Sequence, residues 1–169
     1  MLLRNISKLI LPALLVVGFA ACDIETIEDP NNPSVGAITG NASLSEIQNL
    51  VTGIEAGMRL NLGQYFDGVG PIGREFYRFS TSDPRFTSDL LGKGAAVLDN
   101  NTFYTTNPYA SRYRTVKNCN ILIEAVGNST AITSDAARNA AKGFANTIKA
   151  HELLLVWVQQ YDNGIRIEV

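Results

Sequence analysis

Histidine occurs once, at His151, and cysteine twice, at Cys22 and Cys119. That supply of soft ligands is too small for a zinc site of the usual kind, and it excludes a disulfide-dense scaffold. Basic charge is not in excess either: 14 Lys and Arg stand against 16 Asp and Glu, a formal net charge of -2. Nucleic-acid affinity comes mostly from phosphate neutralisation, so this balance argues against a nucleic-acid partner. No phosphate loop or dinucleotide fingerprint occurs, since Gly92-Lys93-Gly94 lacks the spacing. None of these patterns calls for a cofactor or a metal. What the chain does have is an ordinary globular balance, with 46% of its 169 residues apolar and 18% charged.

The beginning of the chain reads as a leader. Arg4 and Lys8 precede the apolar run Leu9 to Phe19, which Pro12 and Gly18 interrupt. A spanning helix needs roughly 20 apolar residues, so this shorter run has the shape of a secretory signal, 1–21. Phe19-Ala20-Ala21-Cys22 resembles the lipobox of bacterial lipoproteins, which implies cleavage before Cys22 and acylation of that cysteine; Phe19 departs from the usual Leu, Val or Ile. Each buried methylene of an acyl chain contributes roughly 0.8 kcal/mol, so one chain holds a protein marginally and two or three anchor it. Without Arg4 and Lys8 the rest keeps 12 basic residues against 16 acidic ones, net -4, so the expected anchor is lipid and not charge. Residues 22–42 read as a tether: four acids lie within Asp23 to Asp29, followed by Pro30-Asn31-Asn32-Pro33. Acidic residues directly after a lipidated cysteine also resemble a surface-export signal.

Periodicity predicts helices in 43–169. Ser43-Leu44-Ser45-Glu46 has capping-box spacing, and Leu44, Ile47, Val51, Ile54 and Met58 follow at steps of three and four. This predicts a helix over about 44–62, stopped by Gly63. A second helix is expected to start at Asn107-Pro108 and close at Gly127-Asn128. A third runs from Thr133-Ser134-Asp135 to about Tyr161, with small residues in its first half. Its stretch Leu153 to Val158 is apolar nearly all round and is expected to be buried on more than one side. About six residues join the last two helices, which favours antiparallel neighbours. The expected fold is mainly α, with a long irregular region, Gly63 to Thr106, between the first and second helices.

That region concentrates the candidate chemistry. It holds Tyr65, Phe66, Phe76, Tyr77, Phe79, Phe86, Phe103 and Tyr104, interleaved with Arg74, Arg78 and Arg85. Rings stack on apolar faces of sugars or bases, and guanidinium forks give planar hydrogen bonding. Arg74, Tyr77, Arg78, Phe79, Arg85, Phe86 and Tyr104 are therefore the candidate ligand-binding residues; taken singly, each ring reads as packing. Asp83, Asp89 and Asp99 read as turn-formers in a polar loop rather than as a catalytic pair, because nothing fixes their separation. His151-Glu152 has no second His or Cys at helical spacing and reads as a hydrogen-bonded or exposed helix histidine. Cys119 reads as a small buried residue. The chain is not expected to be an enzyme.

The lipobox, its acidic continuation, Asp29-Pro30-Asn31-Asn32-Pro33-Ser34, and the helix pair with Asn118-Cys119-Asn120-Ile121-Leu122-Ile123-Glu124 resemble the RagB/SusD family of nutrient-binding outer-membrane lipoproteins. Ala140-Ala141-Lys142-Gly143, followed by Leu153 to Tyr161 and Gly164, is similar to that family's third helix. The resemblance implies tetratricopeptide-like helix pairs and a lid over a TonB-dependent β-barrel transporter. It also implies lipid anchoring in the outer membrane, at the cell surface, and capture of glycans or peptides without catalysis. Family members run to several hundred residues, so the chain resembles the amino-terminal part of one. No family binding position carries over residue by residue. A lipid-anchored helical-repeat scaffold that binds another protein, with no small ligand, is the alternative.

Overall fold

A computed structural model of the chain describes residues 34–79, 82–92, 97–99, 101–160 and 162–168. The expected leader 1–21, Cys22 and the acidic segment lie outside the described residues. Those residues are all α or irregular, with no strand among them. The helices are α1 (Val35–Asn41), α2 (Leu44–Arg59), α3 (Leu62–Gly73), the single turn α4 (Arg85–Ser88), α5 (Phe103–Asn128) and α6 (Asp135–Gln160). The four long ones, α2, α3, α5 and α6, make a bundle in which α5 packs against each of the others and against α1. The arrangement is of the generic helix-pair type.

α2 begins on the expected capping box. The Glu46 N–H donates to Ser43 Oγ at 3.3 Å, and the Ser43 N–H donates back to Glu46 Oε2 at 2.8 Å. Ile47 and Ile54 are buried, joining Cys119, Leu122, Ala125 and Val126 of α5 and Ala145 of α6 in one core. The expected helix to residue 62 ends earlier, at Arg59. Leu60 is extended and Asn61 takes a left-handed conformation with φ 55°, which Asn tolerates better than most residues. The break is fixed from outside: Asn61 Nδ2 donates to Ser111 Oγ at 2.7 Å, and Arg112 donates to the carbonyls of Met58 (2.8 Å) and Leu60. Gly63, the expected stop, lies inside α3.

The expected irregular region 63–106 therefore contains a 12-residue helix, α3, and the turn α4. Gly63, Gly68, Gly70 and Pro71 lower local helix propensity, so packing decides the outcome. Tyr65 is buried, and its hydroxyl donates to the Leu155 carbonyl at 3.3 Å. Gly68 faces the start of α5, where a Cβ would stand in ordinary contact, 3.4 Å from the Tyr104 carbonyl oxygen. α5 starts at Phe103 and not at Asn107, and Pro108 is an interior residue of the helix. Pro108 has no N–H to give the Tyr104 carbonyl, the same carbonyl that faces Gly68. Burial of Tyr104 against Phe86 and Leu90 holds this extra first turn.

The α5–α6 turn is tied to the start of the bundle. α5 ends at Asn128, as expected, and Arg138 of α6 donates to the carbonyls of Val126, Gly127, Ser129 and Ile132. Those are carbonyls that a helix end and its turn leave without partners. Asn128 Nδ2 donates to the Thr39 carbonyl at 2.9 Å, and Ser129 Oγ to that of Ala42 at 2.6 Å. These bonds draw 35–41, read from sequence as part of the tether, into a helix on the bundle. On α6, Leu153 and Val156 are buried, but Leu154, Trp157 and Val158 are about half exposed. The expected burial of 153–158 on several sides is not met, because the neighbours of α6 cover one face.

Candidate ligand-binding site

α3 ends in a Schellman arrangement. The Glu75 N–H reaches the Gly70 carbonyl at 3.0 Å and the Arg74 N–H that of Pro71 at 3.2 Å. Arg74 takes the left-handed position, φ 63°, where glycine is usual. The turn sends residues 75–79 off the helix as an arm. Phe76 folds its ring onto Gly70, where a Cβ would stand 2.2 Å from the ring. Tyr77 and Phe79 project outward, 54% and 87% exposed, with ring centroids 6.4 Å apart and planes at 47°.

The remaining candidate residues form the support of this arm. Phe86 and Tyr104 are 5% and 1% exposed, packed with Phe103 and Leu90, so neither offers a ring face to a ligand. The Arg78 guanidinium lies 3.9 Å over the Phe86 ring and is ion-paired to Asp67 of α3. Arg85 makes two bonds to Asp83, at 2.9 and 2.7 Å, and stacks 4.5 Å over Phe103. The hydrogen bond from Arg85 holds the Asp83 carboxyl below its ordinary range. Arg74 Nη2 donates to the Leu91 carbonyl at 3.1 Å. The structure thus brings Arg78, Arg85, Phe86 and Tyr104 together and leaves Tyr77 and Phe79 as the exposed rings among the candidate residues, with Phe66 of α3 about as exposed as Tyr77.

The acids behave as local partners. Asp99 accepts the Asn101 N–H at 2.8 Å, and Asp89 accepts from Ser88 Oγ at 2.6 Å and from the Tyr104 hydroxyl at 3.4 Å. Among the described residues no group of His, Cys, Asp and Glu is placed to hold a metal ion. Cys119 is fully buried, and burial pushes its thiol up to about 11.

Sequence reasoning missed a buried ion pair. Arg112 of α5 and Glu152 of α6 are both fully buried, with Nη1 and Oε2 3.0 Å apart, outside hydrogen-bond geometry. His151, half exposed, places Nδ1 3.0 Å from Glu152 Oε1. The signal was there in spacing: Arg112 precedes Val116 and Cys119, and Glu152 precedes Val156, at the steps that mark the buried faces. Arg112 holds the α2–α3 break through its bonds to the Met58 and Leu60 carbonyls, and Glu152 is its charge partner. No helix among the described residues is long and apolar enough to cross a membrane. Comparison with protein-family models, with curated proteins and with solved structures returns no match to this chain.

Proposed function

We propose that the chain is a surface lipoprotein of the outer membrane, anchored through Cys22. On this reading it captures oligosaccharides and passes them to a TonB-dependent β-barrel transporter, acting by binding rather than by bond cleavage. The observation that carries this reading is the arm after α3, where Tyr77 and Phe79 stand exposed on a supported turn. Two exposed rings side by side suit stacking against the apolar faces of sugar rings. The lipobox-like Phe19-Ala20-Ala21-Cys22 and the acidic tether agree with display at a membrane surface. The resemblance to the RagB/SusD family supports the same assignment.

The test is glycan affinity of the Tyr77→Ala/Phe79→Ala variant. Removal of both rings should weaken binding by about tenfold or more, since a stacked ring contributes roughly 0.5–1.5 kcal/mol beyond its burial. Helicity by circular dichroism should not change. Unchanged affinity would remove the arm from the ligand site, and turnover of a bound glycan would overturn the non-catalytic reading. A second reading, a lipid-anchored helical-repeat scaffold, is favoured by the half-exposed Leu154, Trp157 and Val158 on α6, which offer an apolar face to another protein.

A further inference from the structure

After the turn at Arg74, the arm stays in touch with α3. Phe76 lays its ring on Gly70, and Arg78 is ion-paired to Asp67, three residues further back along the helix. Tyr77 and Phe79 alternate with these two and are exposed, the period of two that an extended chain shows. The Arg78 guanidinium has a second contact, 3.9 Å over the ring of Phe86, which is buried with Leu90 and Tyr104. Arg78 thus joins the arm to α3 on one side and to the aromatic cluster on the other. Asp83 also feels the Arg78 charge, but two bonds commit it to Arg85. Asp67 is the acid bonded to Arg78.

We propose that the Asp67–Arg78 pair is an ionic latch that positions the Tyr77–Phe79 ring pair, so that capture by the arm weakens as ionic strength rises. Asp67 is a positioning residue, acting on the ligand through the Arg78 that lies between the two rings in the chain. Both partners are about one-third exposed, so salt reaches them. The screening length falls from about 10 Å at 0.1 M salt to about 3 Å at 1 M. When the latch opens, the rings are no longer placed in advance, and apparent affinity falls with the fraction of molecules that hold them ready. A neutral oligosaccharide has no charge to screen, so a salt-dependent affinity for one is the signature of the latch. The proposal rests on the oligosaccharide-binding reading above and adds to it the residue that orders the site and the condition that loosens it.

The experiment has two readouts on the full 169-residue chain in detergent. The first is chymotrypsin cleavage after Tyr77 and Phe79, followed by mass spectrometry, because cleavage of a segment that opens and closes quickly tracks its open population. Asp67→Ala should speed this cleavage about two- to fivefold at low salt, the range of a partly exposed ion pair, and Asp67→Glu should stay near wild type. Raising salt from about 0.02 to 0.5 M should bring the wild-type rate up to that of Asp67→Ala. The second readout is calorimetric titration with maltohexaose, cellohexaose, xylohexaose and mannohexaose. A hexamer that the wild type binds should bind about two- to fivefold more weakly to Asp67→Ala and to Arg78→Gln, and salt should weaken its binding to the wild type alone. Wild-type and Asp67→Ala rates that agree at low salt would overturn the latch. Faster cleavage with unchanged affinity would overturn the positioning role and leave the oligosaccharide reading standing. A wild-type chain that binds none of the hexamers would remove that reading, and the positioning role with it.

Discussion

Arg112 and Glu152 meet where α2 breaks against α5 and α6, and neither side chain is exposed. Two charges taken from water cost several kcal/mol each, and their attraction offsets this only in good geometry. Here the geometry is incomplete, since Arg112 Nε and Glu152 Oε2 lack hydrogen bonds. Burial accordingly pushes the Glu152 carboxyl up, against the opposing pull of Arg112 and His151. The folded chain then binds that proton more tightly than the unfolded chain does. Its contribution to stability is full below the ordinary carboxylate range and is lost as pH rises through the raised value. Glu152→Gln should lack this pH-dependent loss. Breaking the pair with Glu152→Leu or Arg112→Met alone should cost about 3–5 kcal/mol, because one buried charge is left over. The double variant should recover the part due to the unpaired charge in urea unfolding, but not the part due to the Met58 and Leu60 carbonyls, which lose their Arg112 donor. A double variant no more stable than the singles would contradict this view of the pair.

At the scale of helices, local signals and tertiary ones part company. The start of α2 is local: Ser43 and Glu46 satisfy each other, and Ser43→Ala should lower stability by about 1 kcal/mol in thermal or urea unfolding. An unchanged unfolding midpoint would show that the box adds nothing once the bundle has formed. The same kind of signal made the end of α5 and nearly the whole of α6 legible in the sequence. α3 was not legible, because its glycines and Pro71 argue against a helix and only Tyr65, Gly68 and the neighbouring α5 argue for one. Asn107-Pro108 misled for a related reason. It is a good helix start taken alone, yet burial of Tyr104 begins the helix a turn earlier. Asn61 carries a local hint of a break, but its bond to Ser111 fifty residues away is what settles the position.

For the whole molecule, the all-α bundle followed from helical periodicity, while the candidate site was legible only in part. Composition singled out a stretch of rings and arginines but did not separate support from surface. Phe86 and Tyr104 turn inward, Arg78 and Arg85 spend their charge on Asp67 and Asp83, and Tyr77 and Phe79 remain outside. That sorting depends on contacts between α3, α4 and α5, which no single segment encodes. The apolar outer face of α6 keeps the scaffold alternative in play, and both readings share the lipid anchor expected at Cys22. The most direct measurement is purification of the tagged full-length protein from its own membranes in mild detergent, with mass spectrometry of the protein and of what accompanies it. Recovery of an acylated chain beginning at Cys22, together with a large β-barrel transporter in near-equal amount, is the expected result. An unacylated chain, or one recovered alone or with unrelated surface proteins, would contradict a role in transporter-coupled uptake.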